Sequence, residues 1–571
     1  MKYLRPYMKK YKRQSILAPA FKMLEAGFDL TVPILVARII DDGIAAGNAQ
    51  VIWINFALML LMALLGLSCS FTAQFFAAKA AIGSAAGLRR DLLAHIQTLS
   101  FTELDTIGTS TLITRMTSDI NQVQNGINMF LRLFLRSPFI VFGSMIMVFT
   151  INTQLALIFV AAIAILFVIV FGMMRITNPK HKAVQKNLDC VTAATRENLN
   201  GVRVIRAFGR EQTQVQEFAK INDKLADSQL SVGRIAAMLN PLTYVVVNSV
   251  IIAVLWMGAG KVEGGILLQG DLIAMINYIG QILIELVKLA NLIVLLSKAM
   301  ASLGRVEQIL DTESSMTFAG KETGNDSETI LEFQNVALQY QGAGAESVSG
   351  ISFTLKKGQT LGIIGGTGSG KSTVVNLIPR FYDATEGTVL LKGVPIQSLR
   401  EEVLRKSVAI VQQKAQLFAG TIRSNLLWGD EKATEEVLWQ AIETAQASDF
   451  VKEKGLDAVV EQGGRNLSGG QKQRLTIARA LVSKPEILIL DDSASALDYA
   501  TDAALRSAIQ NLPGEMTVII VSQRTASIQQ ADHILVLEDG LLAGQGTHEE
   551  LLETCAVYRE IYESQFRKEE A

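Results

Sequence analysis

Long apolar stretches with few charges dominate the first half of the chain. They lie at 16–40, 52–80, 129–150, 153–174, 242–260 and 271–297. A helix needs about 20 apolar residues to cross the hydrocarbon core of a bilayer, and several of the stretches reach that length. Six such stretches in succession are not typical of buried helices in a soluble core. The pattern therefore predicts an α-helical membrane domain of six transmembrane helices, embedded in a lipid bilayer.

The second half of the chain changes to shorter β-rich runs that alternate with amphipathic helical stretches. The change follows "FAGKETGNDSETI" (318–330), a polar segment that contains two glycines. This alternation is typical of an α/β domain. We therefore expect a membrane domain at 1–310, a linker at 311–330 and a C-terminal α/β domain at 331–571.

The distribution of Lys and Arg predicts how the membrane domain is oriented. Basic residues are frequent before the first apolar stretch and in the long connections 81–125 and 175–235, whereas 41–50 and 151–154 contain none. Cytoplasmic segments carry the excess of positive charge, so both termini and the α/β domain are expected in the cytoplasm. The basic N-terminus leads into a long span with no small-residue cleavage site, so no signal peptide is expected. The short outer turns favour a bacterial plasma membrane.

Composition excludes little else. The 53 basic and 54 acidic side chains give a net charge of −1, which provides no general attraction to nucleic acid. The three cysteines form no CxxC pair and are interpreted as ordinary small apolar residues.

The segment "LGIIGGTGSGKST" (361–373) predicts a phosphate-binding loop of the form GxxxxGK[ST]. Its glycines let backbone N–H groups close around phosphate oxygens at a helix N-terminus, whose dipole favours anions. We expect Lys371 to reach the β- and γ-phosphates of ATP and Ser372 to ligate Mg²⁺. The predicted nucleotide-binding residues of this loop are Gly365, Gly366, Thr367, Gly368, Ser369, Gly370, Lys371, Ser372 and Thr373.

The segment "LSGGQ" (467–471), followed by the helical pattern "KQRLTIARAL" (472–481), predicts a second anion site. A chain with its own phosphate loop has no evident need of another. We therefore expect this site to cover the γ-phosphate of nucleotide bound to a facing subunit, so that two domains enclose two ATP molecules. The residues concerned are Leu467, Ser468, Gly469, Gly470 and Gln471.

These motifs, together with the acidic strand "ILILDD" (487–492), resemble the ATP-binding cassette (ABC) transporters over nearly the whole chain. The arrangement resembles an exporter half-transporter, with six spans followed by one nucleotide-binding domain, and implies ATP hydrolysis coupled to transport. By this resemblance Tyr340 stacks on adenine, Gln413 contacts Mg²⁺ and Asp491 bridges to Mg²⁺. Gln412 is the alternative register for the glutamine, and "SALD" (495–498) implies a loop at the dimer interface.

Two interruptions in the long cytoplasmic connections, at 103–110 and 203–210, resemble the coupling helices of the family. The alternative interpretation of these connections is a solvated stalk.

Two positions depart from the family pattern, and both belong to the γ-phosphate end of one site. Asp492 stands where the family has its catalytic glutamate, and Gln523 stands where it has a histidine. An error of about 1 Å in positioning can cost about a hundredfold in rate, and a glutamine cannot carry the charge of an imidazolium. The sequence therefore predicts the degenerate-site subunit of a heterodimer, whose partner supplies Glu and His. The alternative is a homodimer with two tolerant sites.

The transported compound is less clearly indicated. Glu25 and Asp29 share a helical face of the first span, and Glu285 and Lys288 lie in the last. Such groups favour either a cavity for a cationic compound or hydrogen bonds between helices, and both remain open. The resemblance implies multidrug-type export of small hydrophobic or amphipathic compounds, with a lipid or peptide translocator as the alternative. A soluble cassette ATPase that acts on nucleic acid is disfavoured by the six predicted spans.

Overall fold

The chain divides into two compact units in a computed structural model that describes residues 2–318, 320–325, 327–512 and 514–566. One unit comprises Met1–Gln97 with Ser110–Thr312, and the other comprises Thr98–Thr109 with Glu313–Ala571. Two residues of the predicted linker, Ala319 and Asp326, lie outside the described residues.

Helices make up the first unit, and one short helix between them, α4, belongs to the second unit. In chain order they are α1 (Arg5–Lys10), α2 (Lys12–Arg38), α3 (Ala49–Ile96), α4 (Phe101–Ile107), α5 (Thr109–Thr114), α6 (Ile120–Leu133), α7 (Arg136–Ile151), α8 (Thr153–Asn200), α9 (Val202–Ala207), α10 (Glu211–Ala237), α11 (Leu239–Glu263) and α12 (Gln269–Leu310). Short π-helical segments lie at Ile39–Ala45 and Arg115–Asp119.

Five helical segments of the described chain are long and apolar enough to cross a membrane. They are Ala49–Ile96, Thr109–Ile151, Thr153–Asn200, Glu211–Glu263 and Gln269–Leu310.

The predicted count of six spans is not confirmed, because the first predicted span is not among these five. The structure forms a continuous helix there, α2, but its central part carries Lys22, Glu25 and Asp29. Ionisable side chains are costly in hydrocarbon, so this helix is less suited to face lipid than the other five.

The core of the first unit is formed by α2, α7, α8, α11 and α12. Tyr278 is fully buried there, and its hydroxyl donates to the carbonyl oxygen of Leu30 at 2.7 Å. Large apolar side chains of α3 instead point outward, among them Trp53, Phe71 and Phe75. A continuous apolar surface on a long helix is stable against hydrocarbon. The unit therefore has the character of a multi-pass membrane domain.

Short helices occupy both of the predicted interruptions in the long connections. Helix α4 begins with a capping box between Ser100 and Glu103 and ends at Gly108, whose φ is +78°. Helix α9 is followed by Gly209 at φ +60°. Glycine adopts these left-handed conformations without steric cost, so the chain can turn sharply after each short helix.

The second unit is an α/β domain. Its strands are β1 (Thr329–Leu338), β2 (Val348–Lys356), β3 (Thr360–Gly365), β4 (Glu386–Leu391), β5 (Val394–Pro395), β6 (Val408–Val411), β7 (Gly420–Thr421), β8 (Val459–Val460), β9 (Ile487–Asp491), β10 (Thr517–Val521), β11 (His533–Glu538) and β12 (Leu541–Gly546). Its helices after α4 are α13 (Lys371–Leu377), α14 (Glu401–Ser407), α15 (Ile422–Leu426), α16 (Glu435–Thr444), α17 (Ser448–Lys454), α18 (Gly469–Val482), α19 (Tyr499–Gln510), α20 (His548–Thr554) and α21 (Ala556–Phe566).

The central sheet of this unit positions the candidate site. Its strand order is β12-β11-β3-β10-β9-β6, and all neighbours except β12 are parallel. Ile363, Ile489 and Ile519 are fully buried in it. The carboxyl ends of parallel strands lie at the same edge of a sheet, which is where open α/β sheets bind ligands. The segments that follow β3, β6, β9 and β10 therefore meet at one edge.

Candidate nucleotide site

The predicted site residues follow four of these parallel strands. The glycine loop follows β3, Gln413 follows β6, Asp491 ends β9 with Asp492 directly after it, and Gln523 follows β10. The fold therefore gathers at one sheet edge motifs that are up to about 160 residues apart in the sequence.

Close packing explains the glycines of the loop between β3 and α13. A Cβ atom added at Gly370 would lie 2.5 Å from Cγ1 of Val348, and the φ of Gly370 is +91°. A Cβ atom at Gly365 would lie 2.1 Å from the carbonyl oxygen of Leu537. Only glycine fits such approaches without displacing the backbone. The loop can therefore close tightly over the start of α13.

The ammonium group of Lys371 is folded back into this loop. Its Nζ donates to the carbonyl oxygens of Gly365 at 2.9 Å and Gly366 at 2.6 Å, and the residue is only 9% exposed. Burial lowers the pKa of the ammonium, and the carboxylates of Asp492 and Asp491 oppose that shift. The groups that accept hydrogen bonds from this ammonium, two carbonyls and the hydroxyl of Ser369 at 3.5 Å, are all neutral. An anionic ligand can therefore bind the ammonium more strongly than they do.

Asp491 and the first turn of α13 are joined directly. The hydroxyl of Ser372 donates to Oδ1 of Asp491 at 3.2 Å. Burial raises the pKa of the Asp491 carboxyl, as does the charge of Asp492, whereas Ser372 and Lys371 lower it. The hydroxyl oxygen of Ser372 and Oδ1 of Asp491 therefore lie together at the end of β9, which is buried throughout.

These oxygens suit Mg²⁺ held largely by a nucleotide. Mg²⁺ typically takes one or two carboxylates and completes its octahedron with water and substrate phosphates. In the part of the chain that the structure describes, no cluster of three or more His, Cys, Asp or Glu side chains is arranged to hold a metal ion by itself. The site offers the hydroxyl of Ser372, the buried carboxylate of Asp491 and the nearby amide of Gln413. This small set fits an Mg²⁺ ion that is bound only together with a nucleotide.

Asp492 is held in an unusual backbone conformation and in a hydrogen bond. Its φ is +45°, a left-handed value that aspartate tolerates better than most residues. Its backbone N–H donates to the carbonyl oxygen of Val521 at 3.0 Å, which ties the end of β9 to β10. Its Oδ2 accepts a hydrogen bond from Nε2 of Gln413 at 3.0 Å. The structure thus brings Gln413 to the aspartate pair, while Gln412 contributes its main-chain carbonyl to Gln473.

The loop of Gln523 is held by a residue that the sequence did not indicate. Nε2 of Gln565, on α21, donates to the carbonyl oxygen of Gln523 at 2.7 Å. Oε1 of Gln565 accepts from the backbone N–H of Thr525 at 2.9 Å and from its hydroxyl at 3.0 Å. The Gln523 side chain is exposed, and within the described residues no hydrogen bond joins it to Asp492. No sequence motif marks residue 565, since only the fold brings it to this loop.

Tyr340 lies just after β1 and beside the start of α13. Its hydroxyl is 3.3 Å from Oγ1 of Thr373, and its ring stands edge-on to that of Tyr382, with ring centroids 5.0 Å apart. Tyr382 in turn donates to Oδ2 of Asp105 on α4 at 2.5 Å, and Phe101 of α4 packs near it. Tyr382 therefore contacts both α4 and Tyr340, the residue predicted to stack on adenine. The sequence did not reveal this link.

The "LSGGQ" segment forms the start of α18 and presents an exposed surface. Oγ of Ser468 accepts from the backbone N–H of Gln471 at 3.2 Å, and Oε1 of Gln471 accepts from that of Ser468 at 3.1 Å. Such a capping box satisfies two otherwise unpaired donors. Ser468 and Gly469 are exposed, and none of the described hydrogen bonds joins them to the loop of Lys371. The segment is ordered but is not used by the chain's own glycine loop.

Family models match both halves of the chain. Residues 15–286 match the ABC transporter transmembrane region, and residues 348–495 match the ABC transporter domain. An uncharacterized ABC transporter ATP-binding protein of Bacillus subtilis (strain 168), YfiB, is 36% identical over 99% of this chain and 98% of the relative. The chain belongs to the ABC transporter family.

Other ABC transporters are similar over comparable lengths. The uncharacterized ABC transporter ATP-binding protein Rv1273c of Mycobacterium tuberculosis is 33% identical over 98% of this chain and 97% of its own. An ATP-dependent lipid A-core flippase of Haemophilus influenzae is 29% identical over 99% and 97%. A solved bacterial Atm1-family ABC exporter with ATP bound aligns with a TM-score of 0.80 at 24% identity, covering 97% of this chain and 99% of that one.

The fold is therefore that of an ABC exporter, with a helical transmembrane domain followed by a nucleotide-binding domain. The ABC transporter domain binds ATP and couples its hydrolysis to transport across the membrane. The sequence-based prediction of fold class and of ATPase activity is confirmed at this level.

Proposed function

We propose that this ABC exporter chain is the degenerate-site half of a heterodimer that exports hydrophobic or amphipathic compounds of the multidrug type. The proposal rests on a contrast between two groups of residues at the same edge of the central sheet. The groups suited to bind nucleotide are complete, whereas the shortened Asp492 accepts a hydrogen bond from Gln413 and Gln523 replaces the family's histidine. The chain should therefore bind ATP well at its own site and hydrolyse it slowly.

Binding follows from the groups around the glycine loop. The phosphates of ATP would take over the Lys371 ammonium from the two loop carbonyls that now accept its hydrogen bonds, because an ammonium binds an anionic phosphate more strongly than a neutral carbonyl. Ser372, Gln413 and Asp491 would hold Mg²⁺, which supplies positive charge against the β- and γ-phosphates. Tyr340, beside the start of α13, would stack on the adenine.

Slow hydrolysis follows from Asp492 and Gln523. A general base must reach the attacking water within hydrogen-bond distance. The side chain of Asp492 is one methylene shorter than glutamate and is already bonded to Gln413. Gln523 can donate an amide hydrogen bond to a γ-phosphate, but it cannot carry the positive charge of an imidazolium.

The "LSGGQ" segment (467–471), here called the signature segment, supplies the other half of the proposal. Ser468 and Gly469 are exposed at the start of α18 and are not engaged by the chain's own loop. In a head-to-tail dimer they would complete the partner's site, for which the partner supplies Glu and His. The basic connections favour a cytoplasmic position of both termini, and the short outer turns favour a bacterial plasma membrane. A lipid translocator is a second candidate, because relatives at 29% identity are named lipid A-core flippases.

ATP turnover tests the proposal. The full chain is purified in lipid nanodiscs alone, and also after co-expression with a second half-transporter of the same organism that carries Glu and His at the two positions. We expect negligible turnover alone, robust turnover with the partner, and its loss when the partner's glutamate is changed to glutamine. Robust turnover by this chain alone would contradict the heterodimer and favour a homodimer with two tolerant sites.

A further inference from the structure

Three helices of the membrane unit bring six ionisable side chains together. Helix α2 contributes two carboxylates and one ammonium, α7 contributes a guanidinium, and α12 contributes one carboxylate and one ammonium. The six residues, here called the charged cluster, are Lys22, Glu25, Asp29, Arg136, Glu285 and Lys288.

Arg136 lies at the centre of the charged cluster. Its Nη1 is 2.5 Å from Oε1 of Glu285, and its Nη2 is 2.9 Å from Oδ2 of Asp29 and 4.0 Å from Oε1 of Glu25. Ser137 donates to the second oxygen of Glu285 at 2.7 Å. A buried guanidinium with these partners is compensated, which is the condition for a charge inside a membrane protein.

The remaining two cations complete the balance. Nζ of Lys22 is 2.5 Å from Oε2 of Glu25, and Nζ of Lys288 is 2.8 Å from Oε1 of Glu285. Three positive and three negative groups therefore give the cluster a formal charge of zero. The structure thus supports hydrogen bonding between helices over an uncompensated acidic cavity, the two interpretations that the sequence left open.

Four members of the charged cluster, namely Asp29, Arg136, Glu285 and Lys288, line a cavity of about 270 Å³. The side chains of Arg136 and Glu285 are 12% and 4% exposed, whereas those of Asp29 and Lys288 are 45% and 42% exposed. The accessible members are thus one carboxylate and one ammonium. The remaining lining consists of the polar Gln281 and of three apolar side chains, Val32, Ile140 and Ile284.

Two buried polar atoms at this cavity lack a partner among the described residues. They are Oε1 of Gln281 and Nε of Arg136. Buried polar atoms are almost always hydrogen-bonded, and each exception calls for a partner such as a ligand or water. Two of the residues that line the cavity thus each keep one polar atom without a partner among the described residues.

We propose that this cavity binds the headgroup of a zwitterionic amphiphile, a compound with a cationic group, an anionic group and an apolar chain. The cationic group would bind the carboxylate of Asp29 and the anionic group the ammonium of Lys288. A ligand with a single charge would leave a net charge in a low-dielectric site, which is costly, whereas a zwitterion keeps the total at zero. This names the substrate class for the proposed exporter and therefore rests on that function.

Binding to the wild-type chain is the first test. The full chain is placed in phosphatidylglycerol nanodiscs without nucleotide, and saturable binding of radiolabelled hexadecylphosphocholine is measured. Hexadecyltrimethylammonium and hexadecyl phosphate, which have the same alkyl chain, serve as competitors. We expect the zwitterion to bind at least about tenfold more tightly than either competitor, since each competitor lacks one of the two ion pairs, with Asp29 or with Lys288. Equal binding of the three headgroups would overturn the proposal, and this comparison needs no variant to fold.

Variants then assign the two charges. Asp29→Asn should weaken the zwitterion about tenfold or more without weakening hexadecyl phosphate, and Lys288→Gln should weaken it similarly without weakening the cation. Asp42→Asn and Lys298→Gln, which remove exposed charges elsewhere in the same unit, are the matched controls and should change nothing. Equal losses for all three headgroups, or losses in the controls, would contradict the assignment.

The source of the zwitterion is distinguished by the bilayer. If a membrane phospholipid is the occupant, nanodiscs that contain phosphatidylethanolamine should weaken the binding of hexadecylphosphocholine several-fold; unchanged binding indicates a foreign amphiphile. Because no nucleotide or partner is present, failure here leaves the heterodimer proposal standing. A failure of the turnover experiment likewise leaves this binding result intact.

Discussion

Two sets of groups at one edge of the central sheet differ in how complete they are. The first set surrounds the glycine loop, where Lys371 is buried and Ser372 already contacts Asp491. The second set lies at the proposed γ-phosphate end, where Asp492 is one methylene shorter than glutamate and accepts a hydrogen bond from Gln413. On the proposed assignment, ATP affinity and ATP turnover would be separated within a single site, because binding and proton transfer would depend on different side chains.

The exposed signature segment sharpens this comparison and is where we expect the largest effect. Ser468→Ala should lower the turnover of the heterodimer by about a hundredfold or more, since removing one donor to developing charge typically costs this much. The chain's own ATP affinity should stay unchanged.

Loss of a helix cap is the trivial explanation for that result, and the chain offers a control. Thr547 caps α20 in the same type of capping box. Thr547→Ala should therefore cost a similar amount of stability, about 1 kcal/mol, without lowering turnover. Equal effects of the two substitutions on turnover would mean that the segment acts only through the stability of α18.

Removing the buried ammonium of Lys371 should weaken the binding of ATP. Lys371→Ala should weaken ATP binding by the isolated chain about 30-fold, the value of a buried charge-assisted hydrogen bond. Equilibrium binding of a fluorescent ATP analogue measures this. Lys356→Ala, which removes an exposed lysine of the same unit, should have no effect. Unchanged affinity in Lys371→Ala would show that ATP does not use this loop.

A smaller effect is expected from Gln565, which acts through the loop of Gln523 as a positioning residue. Gln565 holds this loop through Gln523 and Thr525. Gln565→Ala should weaken ATP binding about fivefold and leave ADP binding unchanged, because in the proposed site this loop would contact the γ-phosphate, which ADP lacks. Gln529→Ala, at an exposed position nearby, is the control. A parallel loss for ADP would indicate general unfolding of the region instead.

The smallest effect is expected from neutralising the shortened carboxylate within the heterodimer. Asp492→Asn should change steady-state turnover less than about twofold, because the competent site takes its base from the partner. A loss comparable to that of Ser468→Ala would show that Asp492 is a working base.

The placement of the glycine loop between β3 and α13, of Asp491 at the end of β9 and of "LSGGQ" at the start of α18 was predictable, because each follows from a short contiguous pattern. The meeting of the glycine loop with Asp491 was also predictable, since parallel strands bring their carboxyl ends to one edge. The contact of Gln565 with Gln523 was not, because it joins a C-terminal helix to a loop about 40 residues earlier without any motif.

The membrane unit shows the same limit. The sequence indicated Glu25, Asp29, Glu285 and Lys288 as intramembrane charges. It gave no sign that α2, which carries the first two, contacts α12, which carries the others. Arg136, which joins them, is a single residue at the start of another span, and only helix packing shows its partners. The charges of Lys22, Glu25 and Asp29 on α2 also explain why this helix is not among the five spans and why the predicted count of six was not confirmed.

The central claim, that this chain's own site binds ATP but hydrolyses it slowly, is tested most directly by restoring the two departures. ATP turnover is measured for the chain alone in nanodiscs, as wild type, as Asp492→Glu with Gln523→His, and as the matched control Asp492→Gln with Gln523→His. The signature is intact, so a homodimer of the restored chain has every group it needs. We predict a rise of about a hundredfold for the restored chain and none for the control. Wild-type turnover equal to that of the restored chain would contradict the claim.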